Sequence, residues 1–521
     1  MALDIPAFLN IAEYFVDRPA AAHAERCAIL GDPVAVSYGG LRALVNRAGN
    51  ALRAGGCRPG HRVLIILPDS LEFIAAFFGA AKIGAVAVPV NPMTRAADYA
   101  YYLADSGPQI AIVHQLALAE FLSAARNVPA ATTIVVGGPG VAQGLSAARN
   151  WTDWIGGQPG ELKAERTAST DTAFFLYTSG SGGTPKAAVH QHKAMLACAV
   201  NYAQGVLGLR SFDRTFSVSK LFFAYGLGNG MYFPFSVGAA TVLNPERPRP
   251  ETIAEMLARY RPSVFFSVPT IYNTLLREAE RGLPMDFSSV RLAVSAGEAL
   301  PAEIFEQFRS RFGLKILDGI GSTEMLQMFI SNRPGQARPG TCGVEVPNYE
   351  ATILDDQGRV VAVGKIGTLW VKGQSAFAEY WNKPELTARV KNTEWVNTGD
   401  KFYCDAEGYY HYCGRADDMM KVAGMWVAPG EVENALLGHP LVAEAAVVGV
   451  RDAAGLTRAV AYVVPRPGSE ASTELARDIQ AFVRERLVGY KCPQEIHFLL
   501  ELPKTATGKI QRYKLRPASG G

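Results

Sequence analysis

The chain has 521 residues, of which 49% are hydrophobic and 19% are charged, so it is long enough to bury a large core and to form at least two domains. A net charge of +3 is too small to indicate a nucleic-acid-binding surface. The seven cysteines are scattered and contain no C-x-x-C pair, which argues against a disulfide framework or a zinc site and predicts reduced thiols.

Neither a signal peptide nor a membrane span is predicted. Met1–Asn10 lacks the basic region with which a signal peptide begins. The most apolar region, Leu71–Val90, is interrupted by Glu72 and Lys82, so a helix followed by a buried strand is the better interpretation. We therefore expect a cytoplasmic protein.

The first part of the chain alternates between helix and strand patterns. Apolar residues recur at helical spacing from 38 to 54, and Gly55-Gly56 ends that helix. The following segments predict a strand at Arg62–Leu67, a helix at about Leu71–Lys82, and strands at Val86–Val90, Pro108–Val113 and Thr132–Val136. This order predicts a mostly parallel sheet covered by helices.

Residues 138–170 are rich in Gly, Ala, Ser and Gln and are interpreted as a surface connection, with Trp151 and Trp154 as anchors. A second α/β unit follows, with predicted strands at Thr241–Leu243, Ser263–Val268 and Arg291–Val294. Short alternating strands at Ala351–Leu354 and Thr368–Val371 predict a small antiparallel subdomain.

The pattern changes again after Arg415. Strands at Ala445–Val448 and Ala459–Val464 precede a helix from about Thr473 to Leu487. We expect an α/β protein with a large N-terminal domain of βαβ-type sheets plus a small β-rich subdomain, and a smaller, mobile α/β C-terminal domain. The predicted boundary lies at Asp417, which gives domains of residues 1–416 and 417–521.

The segment Tyr177–Lys186 reads YTSGSGGTPK and connects an apolar run to a helix that begins near His192. Its hydroxyls, glycines and single lysine are typical of a loop whose N–H groups surround an anion such as a nucleotide triphosphate. The spacing is not that of the common G-x-x-x-x-G-K-[ST] loop. Taken alone, the segment is also compatible with a flexible linker.

Five further motifs follow in order: Ser295–Pro301, Asp318–Glu324, Asn397–Asp400, Gly414–Asp418 and Pro503–Ile510. Together with the loop they resemble the acyl-adenylate-forming superfamily of acyl-CoA ligases, peptide-synthetase adenylation domains and beetle luciferases, over roughly residues 10 to 515. The segments Lys220–Gly230 and Asp318–Met325 resemble the benzoate-CoA ligase branch.

The resemblance implies an ATP site with Mg²⁺. Glu324, after Thr323, corresponds to the acidic residue that holds the metal, and Asp400 to the one that accepts hydrogen bonds from the ribose. The remaining nucleotide-binding residues that it implies are Thr178, Ser179, Gly180, Ser181, Gly182, Gly183, Thr184, Lys186, Gly297, Glu298, Asp318 and Arg415. Two positions depart from the family: Gly182-Gly183 replaces Thr-Gly, and Ala187 replaces a usual glycine, so a hydroxyl contact to pyrophosphate could be lost.

The C-terminal motifs imply the remaining machinery. Lys509 corresponds to the main catalytic lysine, which bridges carboxylate and ATP during adenylation, with Thr323 and Glu324 as the other residues assigned to catalysis. Asp417 corresponds to the hinge about which the C-terminal domain rotates. Ala423 and Gly424 correspond to the tunnel for coenzyme A, where a glycine leaves room for the pantetheine arm.

The acyl pocket is expected, by the same resemblance, from residues on both sides of the nucleotide motifs. Small side chains leave a flat slot, and Tyr225 can pack against a ring. Gln327 stands where histidine is common in the benzoate branch, and its amide could meet a ring substituent. The residues are Phe222, Ala224, Tyr225, Ala296, Gly321, Gln327 and Met328.

The implied activity is that of an ATP-dependent aryl-acid CoA ligase acting on benzoate or a ring-substituted benzoate such as 2-aminobenzoate, as a monomer or homodimer. One alternative is a stand-alone enzyme that adenylates an aryl acid and loads a separate carrier protein. A second is a nucleotide-binding regulator without catalysis, for which Gly182 and Ala187 are the only support.

Overall fold

The computed structural model describes residues 3–31, 35–126, 132–137, 148–179, 184–415, 418–422, 425–451, 457–504 and 510–516. Its α-helices are α1 (Arg18–His23), α2 (Tyr38–Ala54), α3 (Leu71–Lys82), α4 (Ala96–Ser106), α5 (Leu118–Ala125), α6 (Trp151–Gly156), α7 (His192–Cys198), α8 (Ala224–Leu227), α9 (Phe233–Ser236), α10 (Pro250–Tyr260), α11 (Pro269–Glu280), α12 (Ala302–Phe312), α13 (Pro384–Val390), α14 (Pro429–Leu437) and α15 (Thr473–Arg484). Turns of π-helix cover Glu13–Asp17, Ala199–Gln204 and Gly228–Tyr232.

The strands are β1 (Cys27–Leu30), β2 (Val36–Ser37), β3 (Arg62–Ile66), β4 (Val86–Pro89), β5 (Ile110–His114), β6 (Thr132–Val136), β7 (Ala148–Asn150), β8 (Thr172–Ser179), β9 (Pro185–Gln191), β10 (Arg214–Ser217), β11 (Ala240–Val242), β12 (Val264–Ser267), β13 (Leu292–Ser295), β14 (Ile316–Gly321), β15 (Met328–Ser331), β16 (Val344–Glu345), β17 (Glu350–Leu354), β18 (Gly367–Lys372), β19 (Lys391–Asn392), β20 (Trp395–Cys404), β21 (Tyr410–Arg415), β22 (Met420–Val422), β23 (Met425–Val427), β24 (Val442–Arg451), β25 (Thr457–Pro465) and β26 (Glu495–Phe498).

The first sheet has seven strands in the order β7-β6-β5-β3-β4-β8-β9. All neighbours are parallel except β8 and β9, which form an antiparallel hairpin. Helix α3, which is buried continuously from Phe73 to Lys82, packs on this sheet, and α2 packs against α3 through its apolar face. Ser37 and Ser70 cap the N-termini of the two helices through side-chain oxygens. The predicted parallel sheet with covering helices is confirmed.

The prediction that residues 138–170 form only a surface connection is wrong for residues 148–156. Strand β7 extends the first sheet by pairing in parallel with β6, and α6 follows it directly. Trp151 and Trp154 are buried in the main core, with ring centroids 5.8 Å apart. The buried indole rings of α6 fix this otherwise polar segment to the core.

The second sheet has nine strands in the order β16-β15-β14-β13-β12-β10-β11-β1-β2. Its centre, from β14 to β1, is parallel, and antiparallel strands complete both edges. Strands β12 and β13 are buried on both faces, which explains their continuous apolar runs. Because the central strands are parallel, their carboxyl ends lie on the same side of the sheet, where ligands bind in α/β proteins.

Among the described residues, two smaller units and the short antiparallel pair β22–β23 accompany the large sheets. Strands β17, β18, β20, β19 and β21 form the expected antiparallel subdomain. In the C-terminal part, β24, β25 and β26 form a sheet, and α14 and α15 share a core with it. The α/β class with a large N-terminal domain and a smaller C-terminal domain is confirmed. In the parts of the chain that the structure describes, no helix combines the length and apolarity that a membrane crossing requires.

Candidate active site

The predicted phosphate loop joins the two strands of the β8–β9 hairpin. The strands pair in register up to the loop, with Thr178 opposite Lys186 and Ser179 opposite Pro185. Thr178 and Lys186 are half-buried and Thr184 is exposed. Because both ends of the loop are fixed by the ladder, Lys186 enters the site from a rigid strand.

Lys186 lies beside Glu324, one of the residues predicted to act with it. The Lys186 Nζ and Glu324 Oε1 atoms are 3.7 Å apart, and both side chains are largely buried. Burial lowers the pKa of Lys186, and the nearby Arg415 lowers it further, while Glu324 opposes the shift. The structure therefore brings a cation and a carboxylate from the two large sheets to one place.

Tyr380 completes this contact and was missed in the sequence. Its hydroxyl oxygen lies 2.7 Å from Lys186 Nζ and 2.5 Å from Glu324 Oε1. The contact joins residues 194 positions apart, so the spacing of residues along the chain does not reveal it.

His190 contacts the backbone of Thr323, the residue before Glu324. Its ring is buried, stacks on Phe174 at 5.0 Å, and places Nε2 2.8 Å from the carbonyl oxygen of Thr323. Burial lowers the pKa of His190 to about 3, and the Thr323 contact opposes that shift. The neutral ring therefore donates from Nε2 to the residue next to Glu324.

The predicted ribose residues form an ion pair between β20 and β21 of the antiparallel subdomain, where Asp400 pairs with Arg415. Arg415 Nη1 donates to Asp400 Oδ1 at 3.1 Å and to the Thr398 carbonyl at 3.0 Å. Gly399 has a φ of +70°, and a Cβ there would lie 3.2 Å from Arg415 Nη2. Glycine at this position therefore permits both the turn and the close approach of the guanidinium.

The residues predicted for the adenine site lie at the carboxyl end of the second sheet. Asp318 on β14 pairs with Ser295 on β13, and burial raises the pKa of Asp318 to about 8. Gly297, with a φ of +92°, follows β13. Glu298 Oε1 accepts a hydrogen bond from the backbone N–H of Ile510 at 3.2 Å, so this edge contacts the C-terminal segment.

The proposed acyl residues come from α8, the end of β13 and the β14–β15 hairpin. Gln327 connects two of these segments, because its Nε2 donates to the Tyr225 carbonyl at 3.0 Å. The Tyr225 hydroxyl lies 3.2 Å and 3.3 Å from the carbonyl oxygens of Ser267 and Val294. Phe222, Ala224, Tyr225 and Gly321 are half-buried, and Ala296, Gln327 and Met328 are buried.

Several predicted residues cannot be placed. Gly180, Ser181, Gly182, Gly183, Asp417, Ala423, Gly424 and Lys509 lie outside the described residues, as does the side chain of Ser179. The loop centre, the hinge, the coenzyme A tunnel and the catalytic lysine therefore stay predictions.

The strand-anchored Lys186 and the carboxylate of Glu324 meet near the carboxyl edge of an α/β sheet, where ligands bind in this class of fold. A lysine and a carboxylate that could hold a metal suit an enzyme that acts on a nucleotide. The chain belongs to the AMP-binding enzyme family. The family model for AMP-binding enzymes matches residues 16–381, and the model for the AMP-binding enzyme C-terminal domain matches residues 431–509.

Individual relatives match over the whole chain. Benzoate--CoA ligase of Thauera aromatica is 42% identical, over 99% of this chain and 97% of that protein. The crystal structure of the anthranilate CoA ligase AuaEII in complex with anthranoyl-AMP has a TM-score of 0.94 and 38% identity, covering 98% and 97% of the two chains. A benzoate CoA ligase structure from Burkholderia xenovorans LB400 has a TM-score of 0.90 and 40% identity, covering 98% and 100%.

Proposed function

We propose that the protein is an ATP-dependent aryl-acid CoA ligase that activates benzoate or a small ring-substituted benzoate such as 2-aminobenzoate. The observation that carries the proposal is the contact of Lys186 with Glu324, 3.7 Å apart at the end of the β8–β9 hairpin. The aromatic substrate class is supported by the full-length similarity to benzoate- and anthranilate-CoA ligases.

In the first step a carboxylate oxygen of the aryl acid attacks the α-phosphorus of ATP, and the bond to pyrophosphate breaks. Negative charge increases on the departing phosphates, which Lys186 and the backbone N–H groups of the loop offset. Lys509 bridges the carboxylate and the nucleotide. Asp400, held by Arg415, accepts hydrogen bonds from the ribose hydroxyls, while Gly297, Glu298 and Asp318 line the adenine site.

Glu324 is the proposed protein ligand of Mg²⁺. Its Oε1 is engaged by Tyr380, whereas Oε2 has no hydrogen-bond partner among the residues that the structure describes. That part of the chain also contains no cluster of three or more His, Cys, Asp or Glu residues suited to a metal. A carboxylate oxygen is a ligand that magnesium prefers, so Glu324 would hold the ion, which when bound would supply positive charge to the phosphates.

The ring of the substrate is proposed to lie against α8. Tyr225 forms one wall, because its hydroxyl contacts two backbone carbonyls and its ring position is fixed. Gly321 cannot carry a side chain, since a Cβ there would lie 2.6 Å from the Gln327 carbonyl oxygen. A flat slot bounded by such positions admits a planar ring and excludes a long flexible chain.

In the second step the sulfur of coenzyme A attacks the acyl carbon, AMP leaves, and the thiol proton is released. The C-terminal domain, residues 417–521, is proposed to rotate about Asp417 and to present Ala423 and Gly424 to the pantetheine arm. The catalytic lysine and the tunnel thus belong to one domain that serves both steps.

The experiment that tests the function is pyrophosphate release from ATP and Mg²⁺ with a panel of benzoates and short fatty acids, with coenzyme A present or omitted. We expect continuous turnover that requires both an aryl acid and coenzyme A, with an aryl-CoA product identified by mass. A single coenzyme A-independent burst would contradict the proposal and favour the enzyme that loads a carrier protein.

The Lys509→Ala variant tests the catalytic assignment in the same assay. We expect it to abolish aryl-acid-dependent pyrophosphate release, because no other group bridges carboxylate and nucleotide in the proposed step. Lys514→Ala is the matched control, since Lys514 is an exposed lysine five positions away. Equal losses in the two variants would contradict the assignment of Lys509.

A further inference from the structure

The Tyr380 hydroxyl has a fixed direction of hydrogen bonding. The Lys186 ammonium can only donate, so at 2.7 Å it donates to the Tyr380 oxygen. The Tyr380 proton is then directed to Glu324 Oε1, 2.5 Å away. A phenol is protonated at neutral pH, so the hydroxyl has this proton to donate.

Tyr380 itself is held on several sides. Residues 378–381 run beside β9, where Tyr380 forms a bridge with Ala188. Its backbone N–H donates to Thr387 Oγ1 at 2.9 Å, and its ring packs on Phe377 at 4.7 Å. Only 1% of the residue is exposed, so water cannot easily replace the hydroxyl.

The hydroxyl also controls how close the two charged groups come. Lys186 Nζ and Glu324 Oε1 are 3.7 Å apart, a longer separation than either contact with Tyr380. Without the hydroxyl, two largely buried opposite charges would close to a direct ion pair. A direct pair would draw the carboxylate away from a metal and the ammonium away from a phosphate.

We infer that Tyr380 is a positioning residue that separates Lys186 from Glu324 and directs Glu324 Oε2 toward the Mg²⁺ of bound ATP. This inference rests on the proposed function, in which Glu324 holds the metal. The hydroxyl fixes Oε1 by donating to it, so the second carboxylate oxygen is oriented before the metal arrives. In the proposed role, Tyr380 touches neither the carboxylate substrate nor the reacting phosphorus.

The test compares Tyr380→Phe with the wild-type protein. We expect the Mg²⁺ concentration for half-maximal pyrophosphate release to rise about tenfold, as the loss of one hydrogen bond to a charged group implies. The KM for the aryl acid should stay unchanged. Binding of Mn²⁺ in the presence of a non-hydrolysable ATP analogue, measured by electron paramagnetic resonance, should weaken by a similar factor.

Tyr410→Phe is the matched control. Tyr410 is also buried and donates to a glutamate, Glu345 Oε1, at 2.7 Å, but this glutamate is not assigned to the metal. The control should keep wild-type Mn²⁺ binding. Conversion of synthetic aryl-AMP and coenzyme A to thioester, a step that needs no metal, should proceed at the wild-type rate in both variants.

Failure of this inference can be distinguished from failure of the proposed function. Wild-type Mn²⁺ affinity and Mg²⁺ dependence in Tyr380→Phe would overturn the positioning role. If the wild-type protein forms no aryl-CoA, yet Mn²⁺ binding with the ATP analogue weakens in Tyr380→Phe and not in Tyr410→Phe, the function is wrong and the positioning role stands.

Discussion

Gln327 is predicted to hold the wall of the acyl pocket through its amide. Nε2 donates to the carbonyl oxygen of Tyr225 at 3.0 Å and lies 3.5 Å and 3.4 Å from the Ala224 carbonyl and Asn229 Oδ1. Oε1 accepts from the Met328 backbone N–H at 3.2 Å. Both ends of the amide therefore have protein partners, which favours a framework role over contact with a ring substituent.

The Gln327→Ala variant should lower the free energy of unfolding by about 2–4 kcal/mol. A buried carbonyl that loses its donor costs about 1–3 kcal/mol, and the space left by the side chain adds roughly 1 kcal/mol. Gln327→Met, which fills most of that space without a donor, should lose only the hydrogen-bond part. Urea unfolding followed by tryptophan fluorescence measures both variants against the wild-type protein.

The same variants test substrate preference. We expect the ratio of kcat/KM for benzoate to that for 2-aminobenzoate to stay within about twofold of the wild-type ratio, because a framework change affects both rings alike. A variant with wild-type stability and a ratio changed tenfold or more would refute the framework role. That result would instead support direct contact between the amide and the ring substituent.

Two further predictions concern the proposed nucleotide site. Because burial raises the pKa of Asp318 to about 8, the folded protein keeps a proton that the unfolded chain loses above pH 4, so this residue contributes less stability as pH rises from about 4 to 8. Asp318→Asn should therefore gain thermal stability relative to the ligand-free wild type between pH 5 and pH 8, and parallel pH profiles would contradict this. Gly399→Ala should displace Arg415 and so weaken ATP binding measured by calorimetry. Gly408→Ala is the control, because Gly408 also has a positive φ but has open space for a Cβ, and it should leave ATP binding unchanged. Equal effects of the two variants would contradict the steric argument.

The sequence predicted the elements whose apolar pattern is local. Helices α2 and α3 and strand β6 have the predicted bounds, since α2 carries a regular apolar face, α3 is a continuous apolar segment and β6 is a run of β-branched residues. Strand β14, by contrast, contains Asp318, Gly319 and Gly321, which have low strand propensity. Its neighbours in the sheet, and not its own residues, determine its conformation.

The candidate site, likewise, could be predicted only where its residues lie in local motifs. Lys186 and Glu324 were predicted together because each lies in a recognisable motif, and the structure brings them into contact. Tyr380 and His190 lie outside the motifs quoted in the sequence analysis. Their roles depend on contacts across 194 and 133 positions, which only the packing of separate sheets creates. The spacing of residues along the chain does not reveal such contacts.

In the proposed site, the Tyr380 contact would make nucleotide binding depend on the assembled fold. Lys186 belongs to the seven-stranded sheet, Glu324 follows a strand of the nine-stranded sheet, and Tyr380 follows a strand of the antiparallel subdomain. Local unfolding of any of these units would separate the three groups. A nucleotide that binds only when they are together therefore couples the three units, so that its binding energy opposes the opening of each one.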